Sequence, residues 1–283
     1  MILVALGALC ISFAPVLVNL IGAGPTLVAL CRTGFAALIL APWVLASRSG
    51  RPPAVSRRAL LLLAAAGLAF AADLFFWHRS VRYAGAGLGT ILANTQVFYL
   101  SLIGILFLGE SAGRRFLLAV PLAFAGVTLL IGVRPAWADP TLYAYGVVFG
   151  LLTGVAYASY ILALQQAQHE AAGLGATETL AGVLVCSTLV LLPATAAAGE
   201  FRMPGTRDLI LLGALAIGPQ ILGWMLIMRG LRATRVSRAG LVLLAQPVLA
   251  TIWGALFFDE ILSPRQIGGA ALTILAIGLG STK

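Results

Sequence analysis

Two ionisable residues lie within long apolar stretches of the chain, where an unpaired charge is costly. Arg32 and Asp73 each lie about six residues from the same end of a membrane span, roughly 9 Å deep at the rise of an α-helix. Trp77 follows Asp73 by one helical turn, and the adjacent His78 has an imidazole that can change charge near neutral pH. Buried charges at such a depth either pair with each other or handle a substrate or a proton. Both interpretations, an ion pair between two helices and a coupling site, stay open.

Amides and aromatic rings form a second group of candidates. Gln96 and Gln246 each lie about ten residues into a predicted helix, close to the middle of a span of about 20 residues. They are predicted to contact a substrate or, alternatively, to hydrogen-bond neighbouring helices. Pro247 follows the second amide and removes one helical hydrogen bond there. The further candidates for substrate binding are Asn19, Asn94, Tyr99, Tyr157 and Trp224, of which the aromatic ones are equally compatible with packing.

The composition indicates which elements position these side chains. Of the 283 residues, 61% are hydrophobic and only 10% are charged, against roughly a quarter in a soluble domain. The charges fall in short clusters between apolar runs of about 20 residues, which is the length that spans a bilayer as a helix. We therefore predict an all-α polytopic membrane protein with ten transmembrane helices. The predicted spans are 2–20, 26–46, 59–79, 86–107, 114–133, 142–163, 176–198, 207–229, 236–258 and 265–281.

The sequence repeats itself at a fixed offset of 150 residues. The string GILFLGE at 104–110 returns as GALFFDE at 254–260. The matched polar pairs are Arg79 with Arg229, Arg82 with Arg232, Gln96 with Gln246, Glu110 with Glu260, and Arg115 with Arg265. Five predicted spans separate the two copies, so the copies cross the membrane in opposite senses. This arrangement is an inverted repeat, a common plan of secondary transporters. We predict two five-helix repeats, at 1–134 and 142–283.

The chain resembles the EamA-type transporters of the drug/metabolite transporter superfamily. The resemblance rests on FFWHRSVRYAGAGLGTILANTQVFYLSLIGILFLGE and GLRATRVSRAGLVLLAQPVLATIWGALFFDE, and on GPTLVALCRTGFAALIL, in which Arg32 matches the arginine of the family's second helix. It implies a ten-helix fold and the export of small metabolites, with amino acids or their derivatives first. Gln96–Val97 stands where the family has a proline motif, whereas Gln246–Pro247 keeps it, so the two halves are expected to differ in helix flexibility.

The basic residues predict the orientation. Seventeen arginines and Lys283 give a net charge of +9, and eleven of these 18 residues fall on the side of the N-terminus, six on the opposite side and one inside a span. Because loops rich in Lys and Arg stay in the cytoplasm, both termini are predicted to be cytoplasmic, in an inner or plasma membrane. Arginines outside the bilayer also explain the net charge better than nucleic-acid binding does.

No sequence motif for catalysis or for a cofactor is present. The chain has no Walker loop, nucleophile elbow, dinucleotide fingerprint or cluster with metal-ligand spacing, so no catalytic residue, metal or cofactor is predicted. Glu110 and Glu260, which end two predicted spans, are expected to cap or brace the hairpins that follow them.

These patterns together favour a secondary transporter that works by alternating access on a small metabolite. The expected partners are this substrate and membrane lipids, with a possible homodimer. The alternatives are efflux of drugs or other amphiphiles, a lipid-handling protein, and a structural subunit. Proton coupling and facilitated diffusion fit the sequence equally well.

Overall fold

Every regular element in the part of the chain that the structure describes is a helix. A computed structural model describes residues 1–47, 55–84, 89, 92–110, 112–130, 139–170, 174–258 and 263–281. Glu260 and the predicted repeat boundary at residue 134 lie outside these ranges. The helices are α1 (Ile2–Ile11), α2 (Ala14–Leu20), α3 (Pro25–Ser47), α4 (Arg57–Ala84), α5 (Gln96–Phe107), α6 (Arg114–Leu130), α7 (Pro140–Glu170), α8 (Ala176–Ala197), α9 (Thr206–Leu215), a π-helical segment (Ala216–Gly223), α10 (Trp224–Leu231), α11 (Val236–Leu243), α12 (Ala245–Phe258) and α13 (Pro264–Ser281).

Among the described residues, six stretches of helix are long and apolar enough to cross a membrane. They are Ile2–Leu20, Pro25–Ala46, Arg57–Ala84, Pro140–Glu170, Ala176–Ala197 and Thr206–Leu231. Two shorter apolar helices, Leu92–Phe107 and Val236–Ala250, accompany them. Large apolar side chains such as Leu38, Leu45 and Phe107 are mostly exposed, as lipid-facing residues are. The chain is a polytopic helical membrane protein.

The helices pack in pairs. Helix α4 lies along α7, α3 along α8, α6 along α13, and α5 against α11, while α1 packs against both the π-helical segment and α10. Glycines permit the closest approaches, because a Cβ on Gly7 would lie 2.7 Å from the carbonyl oxygen of Gly223, and one on Gly67 would lie 2.4 Å from the Cβ of Cys186. Small residues at such crossings are typical of membrane helices, whose association depends on close van der Waals contact.

Within the described ranges, the helices are interrupted at four points inside their apolar stretches. Helices α1 and α2 are separated at Ser12–Phe13, α11 and α12 at Leu244, and the helix at 92–107 makes a turn at Thr95. The fourth interruption is the π-helical segment around Pro219, which cannot donate a backbone hydrogen bond. Non-helical backbone at membrane depth is tolerated where protein or a cavity lines it.

The turn at Thr95 differs from the sequence-based expectation. The sequence predicts that the two halves differ in helix flexibility, because a proline follows Gln246 but not Gln96. The backbone nonetheless turns, and the hydroxyl of Thr95 donates to the carbonyl oxygen of Leu92 at 2.5 Å. A side-chain hydroxyl that competes for a backbone carbonyl in this way bends helices without proline. Both halves are therefore interrupted at nearly equivalent positions.

Glu110 and Glu200 each cap a helix that is distant from them in the chain. Glu110 accepts hydrogen bonds from the backbone N–H groups of Val236, at 2.9 Å, and Ser237, at 3.3 Å. Glu200 accepts them from Thr26, at 2.7 Å, and Leu27 at the start of α3. A carboxylate at a helix N-terminus satisfies free donors and the helix dipole. Glu110 thus caps a helix as expected, but that helix begins a distant hairpin rather than the one that follows Glu110.

Candidate functional site

A cavity of about 100 Å³ lies where the interrupted helices meet. Its wall comes from α1 and α2, α3, α4, the start of the helix at 92–107, α7, α10 and α12. The lining residues are Ile11, Ser12, Ala14, Pro15, Arg32, Phe70, Asp73, Leu74, Trp77, Ala93, Asn94, Tyr157, Trp224, Gln246, Pro247 and Ala250. Polar and charged groups therefore converge inside an apolar bundle, which is the usual composition of a small-molecule site.

Arg32 and Asp73 both face this cavity and are both buried, with 4% and 9% of their surfaces exposed. The similar depths predicted from the sequence agree with this shared location. Within the described residues they form no ion pair with a nitrogen–oxygen distance of 4.0 Å or less. The ion-pair interpretation therefore does not describe a direct contact, and the two opposite charges remain separate in one cavity.

Gln220 is the partner of Arg32 and was missed by the sequence reasoning. The Nε–H of Arg32 donates to Oε1 of Gln220 at 3.0 Å, and Gln220 is fully buried in the π-helical segment. A polar residue beside Pro219 in an otherwise apolar stretch, IGPQILGWM, was the available signal. Gln220 contacts Arg32 but does not itself line the cavity.

The two midplane amides have different surroundings. Gln246 lines the cavity, and its Nε2 donates to the hydroxyl of Tyr157 at 3.3 Å. Gln96 is fully buried and donates to the carbonyl oxygen of Gly240 at 3.4 Å, outside the cavity wall. Gln96 therefore joins two helices, the alternative that the sequence left open, whereas Gln246 is placed to reach a ligand. Asn94 lines the cavity as well.

Aromatic rings form one wall of the cavity. Trp224 contacts Tyr160 with ring centroids 4.6 Å apart and Phe70 at 5.5 Å, and it lies 6.0 Å from Tyr157. Edge-to-face contacts at these distances are favourable and hold the rings in place. Trp77 contributes a further ring to the lining. The wall offers an apolar surface beside the two charges.

Besides Gln96, three further predicted site residues do not line the cavity. His78 is buried, and its Nδ1 lies 2.7 Å from the carbonyl oxygen of Leu74, which can accept a hydrogen bond but cannot donate one. Tyr99 packs against the main hydrophobic core, and Asn19 is exposed near the end of α2. Helical depth alone does not separate these residues from those that line the cavity, because depth does not determine the direction in which a side chain points.

Ser12 is a second residue that the sequence reasoning missed. It lines the cavity at the break between α1 and α2, where its hydroxyl donates to the carbonyl oxygen of Leu9 at 2.6 Å and accepts from Nε1 of Trp253 at 2.7 Å. The ring of Trp253 also stacks on Phe13 at 4.3 Å. The broken helix is thus joined to α12 at the cavity wall.

The charged residues of the cavity come from the first half of the chain alone. At the repeat offset of 150, Gly182 takes the place of Arg32, and Gly223 takes that of Asp73. The described residues contain no group of three or more His, Cys, Asp or Glu side chains that could hold a metal ion. The cavity can therefore present one cation and one anion, with amides, a phenol and aromatic rings around them.

A helical membrane bundle with a polar central cavity defines the class of protein, and comparison with known proteins defines the family. The model of the EamA-like transporter family matches residues 1–132 and 144–282, so the chain belongs to this family.

Two curated relatives and one solved structure are similar to the chain over most of its length. An uncharacterized transporter of Archaeoglobus fulgidus is 27% identical over 276 residues, which cover 97% of this chain and 93% of the relative. The uncharacterized protein PA1977 of Pseudomonas aeruginosa is 33% identical over 223 residues, 74% of this chain and 73% of the relative. A protein of known crystal structure shares the fold with a TM-score of 0.81 at 18% identity, over 99% of this chain and 96% of that one.

Proposed function

We propose that the protein is a secondary transporter of small zwitterionic metabolites, with amino acids and their derivatives first. One observation carries this proposal: a buried arginine and a buried carboxylate face the same cavity without pairing directly. A substrate with one carboxylate and one ammonium group supplies a counter-charge to each of them. Because unpaired charges in low dielectric are costly, such a substrate stabilises the site more than a neutral molecule does.

The remaining lining suits the rest of an amino acid. Trp77, Trp224 and Phe70 offer apolar surface to a side chain, and Gln246, Asn94 and Tyr157 offer hydrogen bonds. A volume of about 100 Å³ suits a small substrate. Export is the direction that the family resemblance implies, and we retain it as part of the proposal.

We further propose that ten helices span the membrane as two inverted five-helix repeats. The packing supports this plan, because α3 packs on α8 and α6 on α13, which are equivalent elements of the two copies. The hydroxyl of Thr273 donates to the carbonyl oxygen of Ala123 at 3.5 Å, and these two positions are 150 residues apart. A contact between equivalent positions is expected beside a pseudo-two-fold axis. Alternating access then follows from the exchange of conformations between the halves.

The proposed location is the inner or plasma membrane, with both termini in the cytoplasm. The excess of arginine on the side of the N-terminus supports this orientation.

A second candidate function, efflux of amphiphiles, is favoured by an apolar groove next to the cavity. The groove has a volume of about 470 Å³ and is lined by Leu9, Cys10, Phe13, Val16, Leu17, Ala214, Gly218, Pro219 and Phe257. It lies on the other side of the break between α1 and α2, so an amphiphile could place its polar group in the cavity and its tail in the groove. Such a substrate needs no second charge, which distinguishes it from a zwitterion.

The experiment that tests the proposal is a thermal-unfolding screen of the detergent-purified protein with amino acids, amino acid amides and cationic amphiphiles. A ligand that binds the folded state raises the unfolding midpoint. Stabilisation by at least one amino acid, lost in Arg32→Gln and kept in Glu170→Gln, supports the proposal. Stabilisation by amphiphiles alone replaces it with the second candidate, and stabilisation by none of the compounds contradicts both.

A further inference from the structure

The guanidinium of Arg32 is held by a neutral side chain. Its Nε–H donates to the amide oxygen of Gln220 at 3.0 Å, and both residues are buried. Within the described residues this is the one hydrogen bond that Arg32 makes, and no carboxylate lies within 4.0 Å of it. An arginine has five N–H donors in a fixed plane. The four N–H groups on the two terminal nitrogens therefore stay available to a ligand in the cavity.

A neutral partner has a different effect from that of a carboxylate. A carboxylate in the place of Gln220 would hold the guanidinium equally well, but it would compensate the positive charge. An amide oxygen fixes the position of the Nε–H group and leaves the charge intact. The cavity then presents a positioned cation whose natural counter-ion is a carboxylate on the substrate, ideally bound by two parallel hydrogen bonds.

Gln220 reaches Arg32 from an irregular segment of helix. Residues 216–223 form a π-helix, which is rare and frequently occurs at functional sites. Gly223 ends this segment where α1 crosses it, and a Cβ on Gly223 would lie 2.7 Å from the side chain of Ile11. The equivalent position in the first half of the chain is Phe70, so the amide is not a feature of both copies.

We infer that Gln220 is a positioning residue that determines specificity: it aims Arg32 into the cavity and keeps its charge uncompensated, so that the site selects a substrate carboxylate over a neutral carbonyl group. The inference rests on the proposed function, because it assigns a role within the same substrate cavity. It adds a residue that lies behind the cavity wall, and it names the substrate group that this residue selects.

Two substitutions separate positioning from charge. Gln220→Glu keeps an acceptor for Nε–H but compensates the charge. Because Nε2 of Gln220 has no hydrogen-bond partner among the described residues, this change sacrifices no other bond, and the variant is expected to fold. Gln220→Met has a similar volume but no strong acceptor, so Arg32 keeps its charge and loses its position. Gln168→Met is the matched control, since Gln168 is also buried and makes one hydrogen bond, to Met228, outside the cavity.

The test compares acids with their amides as ligands of the purified protein. The probes are L-leucine with L-leucinamide and 4-methylpentanoate with 4-methylpentanamide, and apparent dissociation constants come from ligand-dependent unfolding. We expect the unaltered protein and Gln168→Met to prefer each acid by at least about tenfold, as a charge-assisted hydrogen bond provides. Gln220→Met should reduce this preference, and Gln220→Glu should abolish it while retaining the unfolding midpoint of the ligand-free protein.

Two results would overturn the inference. One is an acid preference in Gln220→Glu equal to that of the unaltered protein, and the other is an unaltered protein that binds neither acid more tightly than its amide. Failure of the proposed function is a separate result: liposomes containing the protein that move no amino acid contradict transport, whatever the acid preference is. Conversely, transport of amino acids without any acid preference leaves the proposed function intact and removes the role of Gln220.

Discussion

The separated charges of Arg32 and Asp73 lead to a quantitative prediction about stability. Changing Asp73→Asn or Arg32→Gln alone leaves one buried charge without the opposite charge that faces the same cavity, so each change should lower the free energy of unfolding. The double change leaves neither charge in the cavity and should therefore recover part of the loss. The interaction between the two sites is obtained from a double-mutant cycle.

The structure bounds the size of this interaction. Two unit charges 4 Å apart interact by about 4 kcal/mol at an effective dielectric constant of 20, and the energy falls with distance. Because Arg32 and Asp73 have no nitrogen–oxygen contact of 4.0 Å or less in the described structure, the coupling should lie below that value. It should exceed about 0.5 kcal/mol, the scatter expected of independent sites. We expect a coupling of about 1–3 kcal/mol.

The assay is denaturant unfolding of the four proteins in detergent, with two controls. Gln220→Met removes the hydrogen bond of Arg32 without removing its charge, so it separates that contribution. The second control is a cycle on Arg58 and Glu170, whose atoms are closer, at 3.3 Å, but whose side chains are 74% and 35% exposed. Exposed pairs typically contribute between zero and about 1 kcal/mol. Additive effects at Arg32 and Asp73, within about 0.5 kcal/mol, would refute electrostatic coupling through the cavity.

Three further predictions concern topology, the midplane amides and a helix cap. In a variant without the native cysteines, Ser56→Cys should react with an impermeant thiol reagent only in permeabilised cells and Met203→Cys in intact cells; the reverse pattern would invert the proposed orientation. Gln246→Leu should abolish most transport at normal expression, whereas Gln96→Leu should lower the unfolding midpoint and leave the substrate KM unchanged. Equal transport defects and equal unfolding midpoints in the two variants would contradict these different roles. Glu110→Ala should lower the free energy of unfolding by about 1–2 kcal/mol, as removal of a helix cap does, and an unchanged value would show that water replaces the cap.

The sequence predicted the composition of the cavity better than its geometry. Arg32 and Asp73 were recognised because charges are rare in apolar stretches, and their depths follow from the fixed rise of a helix. Depth gives no information on helix rotation or on neighbouring helices. The sequence therefore does not distinguish Gln96 from Gln246, although of the two only Gln246 lines the cavity. The prediction of helix caps is limited in a similar way. The sequence predicts that Glu110 caps a helix, but long-range packing determines which helix it caps.

The residues that the sequence reasoning missed share one property: their role depends on irregular backbone. Gln220 reaches Arg32 from a π-helical segment, and Ser12 lies at a break between two helices. Ideal helical spacing is a poor guide at such positions, because an interruption changes the direction of every side chain around it. The turn at Thr95 illustrates the same limitation, since a hydroxyl takes the place of the expected proline.

The central claim, that one cation and one anion in a shared cavity bind a zwitterion that the protein then moves, is tested most directly by flux into liposomes. Purified protein is reconstituted alone, and uptake of radiolabelled amino acids is measured against protein-free liposomes. We predict saturable uptake of at least one amino acid by the unaltered protein and by Glu170→Gln, and uptake at background by the double variant Arg32→Gln/Asp73→Asn. Uptake at the unaltered rate by the double variant, or no uptake of any amino acid by the unaltered protein, would contradict the claim.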